Sequence, residues 1–341
     1  MKQRNPERKT APTLEDVARV AGISPMTVSR ALNSPQLVRP ATVAKVKAAI
    51  SATGYIPNAQ AGSLASNRSR LIAVVVPQIN NNMFVDTIQS LNDSLSAQGY
   101  HMLLCVTGYE AETEAETVAT LLSRRPDGIV LTGIHHSAQL KKVLLQASVP
   151  VVEIWDMTPT PIDMLVGFSH EKIGERVAAY LAERDYQKPG LIWTDDRRAL
   201  QRKQGLVDAL AAQGIIPRAD VPVQLPALMA RGREASVRLL DQHPEIDVLV
   251  CSSDTLAQGA LMATQARGMK IPQELAVIGF GDLDFAAANF PAISTVRIDR
   301  HRMGELAAEQ LLKRLKNLRI ENPIIDMGFT MVPRDSGQTL L

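Results

Sequence analysis

Two different hydrophobic patterns divide the chain near residue 70. Before it, apolar residues recur three and four positions apart in short stretches, which is typical of small helices packed on one core. After it, short and nearly continuous apolar runs alternate with longer amphipathic stretches. Such runs between helices indicate parallel sheets that are covered on both faces. The pattern predicts a small all-α head at 1–57, a hinge or linker at 58–70 and an α/β core at 71–341.

The stretch TLEDVARVAGISPMTVSRALN predicts two short helices joined by a tight turn. Thr13 and Asp16 resemble the capping pair of a helix N-terminus, and Gly22 ends that helix as a left-handed cap. Ser24 caps the second helix, with Pro25 in its first turn, where a missing N–H costs nothing. The stretch PATVAKVKAAISATGY predicts a third helix. Three helices in this order make a helix-turn-helix, whose second helix enters the DNA major groove.

The outward residues of the second helix suit contact with DNA. Arg30 can donate two parallel hydrogen bonds to guanine, while Met26 and Pro25 offer apolar contact to thymine methyl groups. Thr27 and Ser29 suit phosphate oxygens, which position a protein without specifying sequence. The alternative is an ordinary surface helix of a small α-domain.

Charge also separates the two parts of the chain. Residues 1–70 hold 11 Lys plus Arg and 3 Asp plus Glu, a formal charge of +8, within a chain of net charge +2. The remainder holds 26 basic and 32 acidic residues, a charge of −6. A basic head on an acidic body favours a polyanion as the partner of the head alone. Charge by itself leaves a solvated basic tail as the alternative.

The compartment is expected to be a reducing cytoplasm. The start, MKQRNPERKTAP, is charged and lacks the apolar stretch of a secretory signal. No apolar run approaches the roughly 18 residues that span a bilayer. Cys105 and Cys251 lie far apart within apolar runs, so both are interpreted as buried thiols.

Three stretches together resemble a known family: TLEDVARVAGISPMTVSRALN, VKAAISATGYIPN and LASNRSRLIAVVVP. They are similar to the DNA-binding head and hinge of the LacI–GalR family of bacterial transcription regulators. The similarity extends, with weaker stretches, from about Thr13 to about Arg334. It implies an operator-binding head on a core like that of periplasmic sugar-binding proteins. The predicted DNA contacts are Thr13, Ser24, Pro25, Met26, Thr27, Ser29, Arg30, Asn33, Tyr55, Asn58 and Leu64.

The hinge carries one residue that agrees with the family and one that departs from it. Leu64 stands where the hinge-helix leucine of the family enters the minor groove, and an apolar wedge between base steps kinks the duplex. Gly62 replaces the basic residue that many members carry before the SLA run. Glycine lowers helix stability by roughly 1 kcal/mol relative to alanine. We therefore expect a hinge that orders only on DNA.

The core contains two series of apolar runs. The first comprises LIAVVVP, HMLLCV, GIVLTG and VPVVEIW, and the second comprises GLIWT, VPVQL, DVLVCSS and LAVIGFG. Two series predict two doubly wound parallel-sheet lobes, with a ligand cleft at the carboxyl ends of the strands. The last segment, from ISTVRID to IIDMGF, is expected to cross back between the lobes.

Candidate ligand residues directly follow the predicted strands. By resemblance, the effector positions of the family correspond to Asn80, Phe84, Trp155, Arg202 and Ser253. A guanidinium aimed into a cleft can clamp a carboxylate, whereas a surface salt bridge is the alternative for Arg202. Phe84 and Trp155 are either core side chains or stacking rings. Asp254 is interpreted as the N-cap of the following helix.

The effector class follows from one departure and from a closer resemblance. Many members carry an acidic residue at the place of Gly281, and here Asp282 is displaced by one. Loss of a carboxylate beside Arg202 favours an anionic ligand. GYIPN, VVEIWD, VGF and KQG also look like the gluconate-utilisation branch. We expect a sugar acid such as gluconate or 2-ketogluconate, with Glu153 accepting from its hydroxyls and His136 on its carboxylate.

No catalytic or cofactor-binding motif of weight occurs in the sequence. There is no phosphate-loop signature and no zinc spacing, and GFGDL is too short for a dinucleotide fingerprint. The adjacent His135 and His136 point apart, which disfavours a metal pair. The sequence therefore predicts a homodimeric repressor that binds a pseudo-palindromic operator. We expect it to need no cofactor or metal and to bind no membrane. The alternatives are a neutral-sugar or purine effector, a solute-binding protein, or a sugar-metabolising enzyme with a DNA-binding-like head. The tail DSGQTLL lacks heptads, which favours a dimer over a tetramer.

Overall fold

The computed structural model describes residues 11–56 and 68–338. The chain divides into two compact units, Met1–Ser69 and Arg70–Leu341. The described part of the first unit is helical, and the second unit alternates strands with helices. The predicted fold class is confirmed: a small all-α helix-turn-helix head plus an α/β core of two doubly wound parallel-sheet lobes. The finer boundaries at residues 57 and 70 stay a prediction.

The first unit is a cluster of short helices. These are α1 (Leu14–Ala21), α2 (Pro25–Asn33) and α3 (Pro40–Thr53), with a 3-10 turn, Pro35–Leu37, before α3. α1 packs on both α2 and α3. The buried residues that they share are Val17, Ala18, Val28, Ala31, Val46 and Ala49. Because this small core takes one face of α2, the opposite face is left to solvent.

The ends of the head helices follow the local signals in the sequence. The Thr13 amide donates to the Asp16 carboxylate at 3.0 Å, and the Asp16 amide donates back to the Thr13 hydroxyl at 3.4 Å. Gly22 ends α1 with a φ of 64°. Ser24 caps α2 by accepting a backbone N–H, and Pro25 is its first residue. The predicted caps of α1 and α2 are confirmed.

The second unit consists of twelve strands and nine helices among its described residues. In chain order its first half contains β1 (Leu71–Val76), α4 (Val85–Ser96), β2 (His101–Val106), α5 (Ala111–Ser123), β3 (Gly128–Thr132), α6 (Ala138–Ala147), β4 (Val151–Ile154), β5 (Met164–Gly167), α7 (His170–Ala182) and β6 (Pro189–Thr194). Its second half contains α8 (Arg197–Ala212), β7 (Ala219–Val223), α9 (Met229–Gln242), β8 (Val248–Cys251), α10 (Asp254–Ala266), β9 (Ala276–Ile278), α11 (Asp284–Ala288), β10 (Thr295–Arg297), α12 (Arg300–Leu315), β11 (Ile324–Asp326) and β12 (Thr330–Val332).

Two parallel sheets define two lobes. The N-lobe has the strand order β11-β5-β4-β3-β1-β2 and carries α4, α5, α6 and α12. The C-lobe has the order β7-β6-β8-β9, carries α7 to α11, and includes the antiparallel pair β10-β12. In β1, Ile72 and Val74 join the buried cluster of α4 and α12, whereas Ala73 and Val75 join that of α5 and α6. Because alternate side chains face opposite sides of the sheet and both sides are buried, the strand is apolar throughout.

The chain passes between the lobes three times. It crosses from β5 to α7, returns from β10 to α12, and crosses again from β11 to β12. β11 pairs with β5, and α12 packs against α4, so late residues complete the N-lobe. This confirms the predicted return of the last segment.

A close helix crossing fixes α8, the helix that carries Arg202. A Cβ added at Gly174 of α7 would lie 2.1 Å from the Arg202 carbonyl oxygen. A Cβ added at Gly205 of α8 would lie 2.3 Å from the Glu171 carbonyl oxygen. Because only glycine permits this approach, the crossing determines where the side chains of α8 point.

Two sequence predictions differ from the structure in detail, and one strand was not predicted. The run VPVQL contributes only its first part, because β7 ends at Val223 and Pro222 is tolerated on an edge strand. Cys251 is buried as predicted, but Cys105 is only partly buried because it lies on the edge strand β2. β5 is a short strand that the sequence reading did not name.

Candidate functional site

The solvent-facing surface of α2 presents the residues that were predicted to read DNA bases. Pro25, Met26 and Arg30 are exposed, with Met26 at 71%. Val28 on the opposite face is fully buried. An apolar contact and a planar cation are therefore available on the second helix of a helix-turn-helix.

The small polar residues of the head already have intramolecular partners. The hydroxyls of Ser24 and Thr27 lie 2.9 Å apart, and Asn33 donates to the Ser29 hydroxyl at 3.3 Å. The hydroxyl of Thr13 is used in the cap of α1. A contact with phosphate must exchange or share these hydrogen bonds.

The remaining predicted DNA contacts lie at the end of the head and in the predicted hinge. Tyr55 is partly buried and packs against the core of the first unit. Asn58, Gly62 and Leu64 lie outside the described residues, so their predicted parts in the hinge stay predictions.

Two adjoining cavities open in the second unit where the two lobes face each other. The first, called the His135 cavity, has a volume of about 420 Å³. The second, called the Arg202 cavity, has a volume of about 340 Å³. Tyr109, Asp196 and Arg198 line both. Cavities of this size accommodate a small organic ligand.

Arg202 is a buried cation at the wall of its cavity. Its Nη1 donates to His170 Nδ1 at 3.0 Å, and its Nη2 donates to the Ser252 carbonyl at 3.1 Å. The guanidinium carbon lies 3.8 Å from the centre of the Phe280 ring. Burial lowers the pKa of Arg202 to about 10, so the group stays charged at neutral pH. The alternative of a surface salt bridge is wrong, because the residue is 7% exposed.

Phe84 and Trp155 are core residues that also line the Arg202 cavity. Their rings form a T-shaped pair with centroids 5.3 Å apart. Trp155 is 2% exposed, has a φ of 70°, and its Nε1 has no hydrogen-bond partner. A buried indole N–H normally has a partner. Both rings are therefore core side chains in the cavity wall, and a stacking role toward a ligand stays a prediction.

Asn80 and Ser253 also line the Arg202 cavity. Ser253 is the N-cap of α10, because its hydroxyl accepts from the Leu256 amide at 3.3 Å. The prediction that Asp254 is this cap is wrong. Asp254 is buried, and it accepts from the Thr295 hydroxyl at 2.6 Å and from the Leu283 amide at 2.7 Å. Burial raises the pKa of Asp254 to about 6.

His136 and Glu153 form a buried cluster beside the His135 cavity. His136 Nδ1 lies 2.9 Å from Glu114 Oε2, and its Nε2 lies 3.4 Å from Glu153 Oε1. Glu153 also accepts from the Ile162 amide at 2.7 Å. Although burial opposes the charge, the two carboxylates raise the pKa of His136 to about 9. Glu153 lines neither cavity. His136 lines the His135 cavity, but its imidazole already bridges two carboxylates. This placement argues against the ligand contacts predicted for both.

Gly281 lines neither cavity, and its backbone conformation is one that residues with a side chain rarely adopt. Its φ is 123°, and a Cβ there would lie 2.4 Å from the sulfur of Met83. Asp282 has a φ of 50° and pairs with Arg297 and Arg334. Although partial burial acts the other way, these arginines hold the pKa of Asp282 below its usual value. The missing carboxylate at residue 281 therefore also has a steric reason.

Asp156 is a functional candidate that was not among the residues predicted from the sequence. It is 2% exposed and lines the His135 cavity. Its Oδ1 accepts from the Met157 amide at 2.8 Å, whereas Oδ2 has no hydrogen-bond partner. His135 Nε2 lies 4.0 Å from Oδ2, and burial together with Arg197 lowers the pKa of His135, which favours a neutral imidazole. Burial raises the pKa of Asp156 to about 6.

Arg198 is a second candidate that the sequence reading missed. It precedes Arg202 by one helical turn on α8 and lines both cavities. Its guanidinium carbon lies 5.4 Å from the centre of the Phe84 ring. Among the described residues it forms no ion pair within 4.0 Å. The four-residue spacing in RRALQR was the available signal, because such residues share one face of a helix.

His170 and Phe280 complete the surroundings of Arg202 and were also missed. His170 Nε2 lies 3.0 Å from the Trp155 carbonyl, so its Nδ1 is free to accept from Arg202. Burial and then Arg202 hold the pKa of His170 well below its usual value. A neutral imidazole therefore connects the end of β4 to α8.

Within residues 11–56 and 68–338, no cluster of three or more His, Cys, Asp or Glu side chains has a metal-binding arrangement. In the same part of the chain, no helix combines the length and the apolar character needed to cross a membrane.

Comparisons with known sequences match both units. A family described as "Bacterial regulatory proteins, lacI family" matches residues 13–58. A second, described as "Periplasmic binding proteins and sugar binding domain of LacI family", matches residues 69–322. The resemblance stated from the sequence is thereby confirmed.

Individual relatives cover nearly the whole chain. The HTH-type transcriptional regulator GntR of Pseudomonas aeruginosa is 34% identical over 95% of this chain and 95% of its own. The regulator IdnR of Escherichia coli is 30% identical over 93% of this chain and 96% of its own. The repressor PurR of Vibrio atlanticus is 29% identical over 96% of this chain and 99% of its own.

Solved structures agree in fold. A LacI-family transcriptional regulator from Silicibacter pomeroyi superposes with a TM-score of 0.92 at 32% identity, over 96% of this chain and 100% of that one. The transcription regulator GntR from Chromobacterium violaceum superposes with a TM-score of 0.75 at 31% identity, over 78% of this chain and 99% of that one.

Proposed function

The chain belongs to the LacI family of bacterial regulatory proteins and is a DNA-binding transcriptional regulator, and we propose that it is a repressor released from its operator by a sugar acid. Its relatives are regulators and not enzymes. The operator would be bound by the head, and the sugar acid by the cavities between the lobes of the core.

The head supports sequence-specific binding through α2. Arg30 would form paired hydrogen bonds with a guanine, with Met26 and Pro25 against thymine methyl groups. The surrounding polar groups would hold the sugar-phosphate backbone: Thr13, Ser24, Thr27, Ser29, Asn33, Tyr55 and Asn58. Leu64 would enter the minor groove at the operator centre. One α2 spans only a half-site, so a homodimer would bind a pseudo-palindrome with half-sites about one helical turn apart.

One observation carries the effector proposal: the two cavities hold unsatisfied buried polar atoms of opposite kinds. On the Arg202 cavity, Trp155 Nε1 and Arg202 Nε are donors without a partner. On the His135 cavity, Asp156 Oδ2 is an acceptor without a partner. Arg198 lies at their junction. A carboxylate at the first cavity and hydroxyls at the second satisfy both sets, since unpaired buried groups are costly.

This arrangement revises the residues assigned to the sugar acid. Arg202, Arg198 and Trp155 would receive the carboxylate, and Asn80 and Ser253 would border it. Asp156 replaces Glu153 as the hydroxyl acceptor. His136 and Gly281 would support the walls rather than touch the ligand.

Operator release would follow from movement of the lobes. The cavities are lined from both lobes, so a ligand that contacts both walls favours one separation of the lobes over another. The three crossovers are the points at which the backbone would bend. Operator affinity would fall by the ratio of the ligand affinities of the two forms.

The test is fluorescence-anisotropy binding of the full chain to DNA selected by it from a random pool. Gluconate and 2-ketogluconate are titrated beside glucose and adenine. We expect tight binding that a sugar acid reverses and that glucose and adenine leave unchanged. Reversal by glucose or adenine alone would change the proposed effector class to a neutral sugar or a purine. The absence of any specific DNA binding would overturn the assignment of the head.

A second arginine of the C-lobe provides the control. Arg198→Gln removes the cation that lines both cavities, whereas Arg218→Gln removes an exposed arginine that lines neither. We expect about a tenfold or larger loss of sugar-acid affinity in the first variant, the size of a lost charge-assisted hydrogen bond. The second variant should stay close to the wild type. Equal losses in both would remove the specific role of Arg198.

A further inference from the structure

The structure assigns to Asp86 and Arg300 the role of a latch between the lobes, which couples the Arg202 cavity to the form that binds DNA. This inference rests on the proposed function for the identities of the ligands. The latch itself is argued from contacts within the second unit.

The N-lobe end of the latch lies in the first turn of α4. Arg300 Nε and Nη2 donate to Asp86 Oδ2 at 2.9 and 2.7 Å. Arg300 is the first residue of α12, directly after a crossover. Its carbonyl accepts from the Thr87 hydroxyl at 3.0 Å, and Ser90 donates to the next carbonyl at 2.7 Å. α4 therefore holds both the backbone and the side chain of Arg300.

The C-lobe end is the turn that follows β9. Arg300 Nη1 donates to the carbonyl of Gly281 and, at 3.1 Å, to that of Asp282. Both residues have positive φ, and the Asp282 carboxylate is paired with Arg297 and Arg334. The turn therefore has one well-supported shape, and one guanidinium connects it to the N-lobe.

Both ends of the latch are continuous with the walls of the Arg202 cavity. Phe280, whose ring lies under Arg202, directly precedes Gly281. The turn Asn82–Phe84 lines the same cavity and is followed two residues later by Asp86. The sulfur of Met83 also faces Gly281. A ligand that changes the separation of these walls must stretch or break the contacts of Arg300.

The contacts belong to one arrangement of the lobes, so they bias the equilibrium toward it. The side chain of Arg300 is 10% exposed, and it donates to three acceptors on two lobes. An exposed ion pair alone contributes little, but a shielded guanidinium with several acceptors contributes more. Because the ligand is proposed to change this separation and to release the operator, the arrangement that holds the latch is assigned to the operator-bound form. Loss of the latch should then favour the ligand-bound form and disfavour the operator-bound form.

The test uses full-length Asp86→Ala and Arg300→Lys. Operator affinity is measured without effector, and gluconate affinity is measured without DNA. We expect operator binding to weaken about 3- to 10-fold in Asp86→Ala and gluconate binding to tighten by a similar factor, because the two are linked. Arg300→Lys keeps one charge but loses the fork, so it should lie between Asp86→Ala and the wild type.

Glu183→Ala is the control, because it removes the partner of Arg176 within the C-lobe. The side chain of Glu183 is 52% exposed, and that of Asp86 is 51% exposed. It should change neither affinity. Loss of both affinities in Asp86→Ala, or no change in either, would overturn the latch. If the wild type binds its operator but ignores gluconate, the effector proposal fails separately. The latch is then decided by whether Asp86→Ala, unlike Glu183→Ala, alters operator binding.

Discussion

At the scale of single residues, burial without a partner distinguishes the ligand candidates from their neighbours. Glu153 and Asp156 are both buried carboxylates near the end of β4. Glu153 is satisfied by His136 and a backbone N–H, whereas Asp156 keeps one free oxygen on a cavity. The same residue type therefore has a structural role at one position and is available to a ligand at the other.

Asp156→Asn should stabilise the protein at neutral pH. The folded pKa of about 6 lies above the ordinary 3.8, so the stability associated with Asp156 is complete below about 3.8 and is lost as the pH rises through 6. Above pH 6 the charged form costs on the order of 1–3 kcal/mol of unfolding free energy. Thermal unfolding should show a Tm several degrees higher in the variant at about pH 7.5, and nearly equal Tm values at about pH 3. A gain that is equal at both pH values would contradict the raised pKa.

Arg30→Ala should reduce sequence discrimination more than overall affinity for DNA. A bidentate arginine–guanine contact contributes about 1–3 kcal/mol of discrimination, or roughly 5- to 150-fold. Arg39→Ala removes an equal charge from an exposed position of the head and should weaken operator and random DNA alike. Competition binding with both DNAs measures the ratio. An unchanged ratio in Arg30→Ala would remove the base-reading role.

At the scale of elements, α8 carries both arginines of the cavities, and its close crossing with α7 directs them. Gly205→Ala places a Cβ 2.3 Å from the Glu171 carbonyl, so the helices must separate. Overpacking of this kind typically costs about 1–3 kcal/mol of unfolding free energy.

For Gly205→Ala we expect a lower Tm together with weaker sugar-acid binding, because α8 shifts with Arg198 and Arg202. Gln204→Ala, at an exposed neighbouring position, is the control and should change neither property. Calorimetric unfolding and ligand titration test both effects. A lower Tm with unchanged ligand affinity would show that the α7–α8 crossing does not determine ligand binding.

The elements were easier to predict than the contacts of the site. Continuous apolar strands and capped amphipathic helices are local patterns, and caps such as Thr13 and Gly22 leave local signals. The positions of Asn80, Trp155 and Arg202 on one cavity followed from resemblance and strand ends. The satisfaction of Glu153 by His136 depends on residues distant in sequence, and no local pattern contains it. β5 was missed because a buried strand of four residues has no distinctive period.

At the scale of the whole molecule, the opposite charges of the two parts should give the two binding events different salt dependence. The first 70 residues carry +8 and the rest −6. Operator binding neutralises phosphates and releases counterions, whereas a monovalent ligand bound in a cavity releases few.

We therefore expect salt to separate the two binding events. Between about 50 and 200 mM salt, operator affinity should fall on the order of a thousandfold if six or more phosphates are neutralised. Sugar-acid affinity, measured by calorimetry without DNA, should change by less than about twofold. A steep salt dependence of both would place the sugar acid on the basic surface of the head instead.

The three crossovers have a consequence for the order in which the protein forms during synthesis. The apolar face of α4 and β1 is covered by α12, and β5 is paired by β11, so the N-lobe is completed by residues 300–326. The whole C-lobe sheet, residues 189–278, emerges from the ribosome before them. The C-lobe sheet can therefore assemble before the last helix and strand of the N-lobe have been synthesised. A nascent chain that stops before residue 300 exposes the surface to which α12 binds, and this half-built lobe is where a chaperone would be needed.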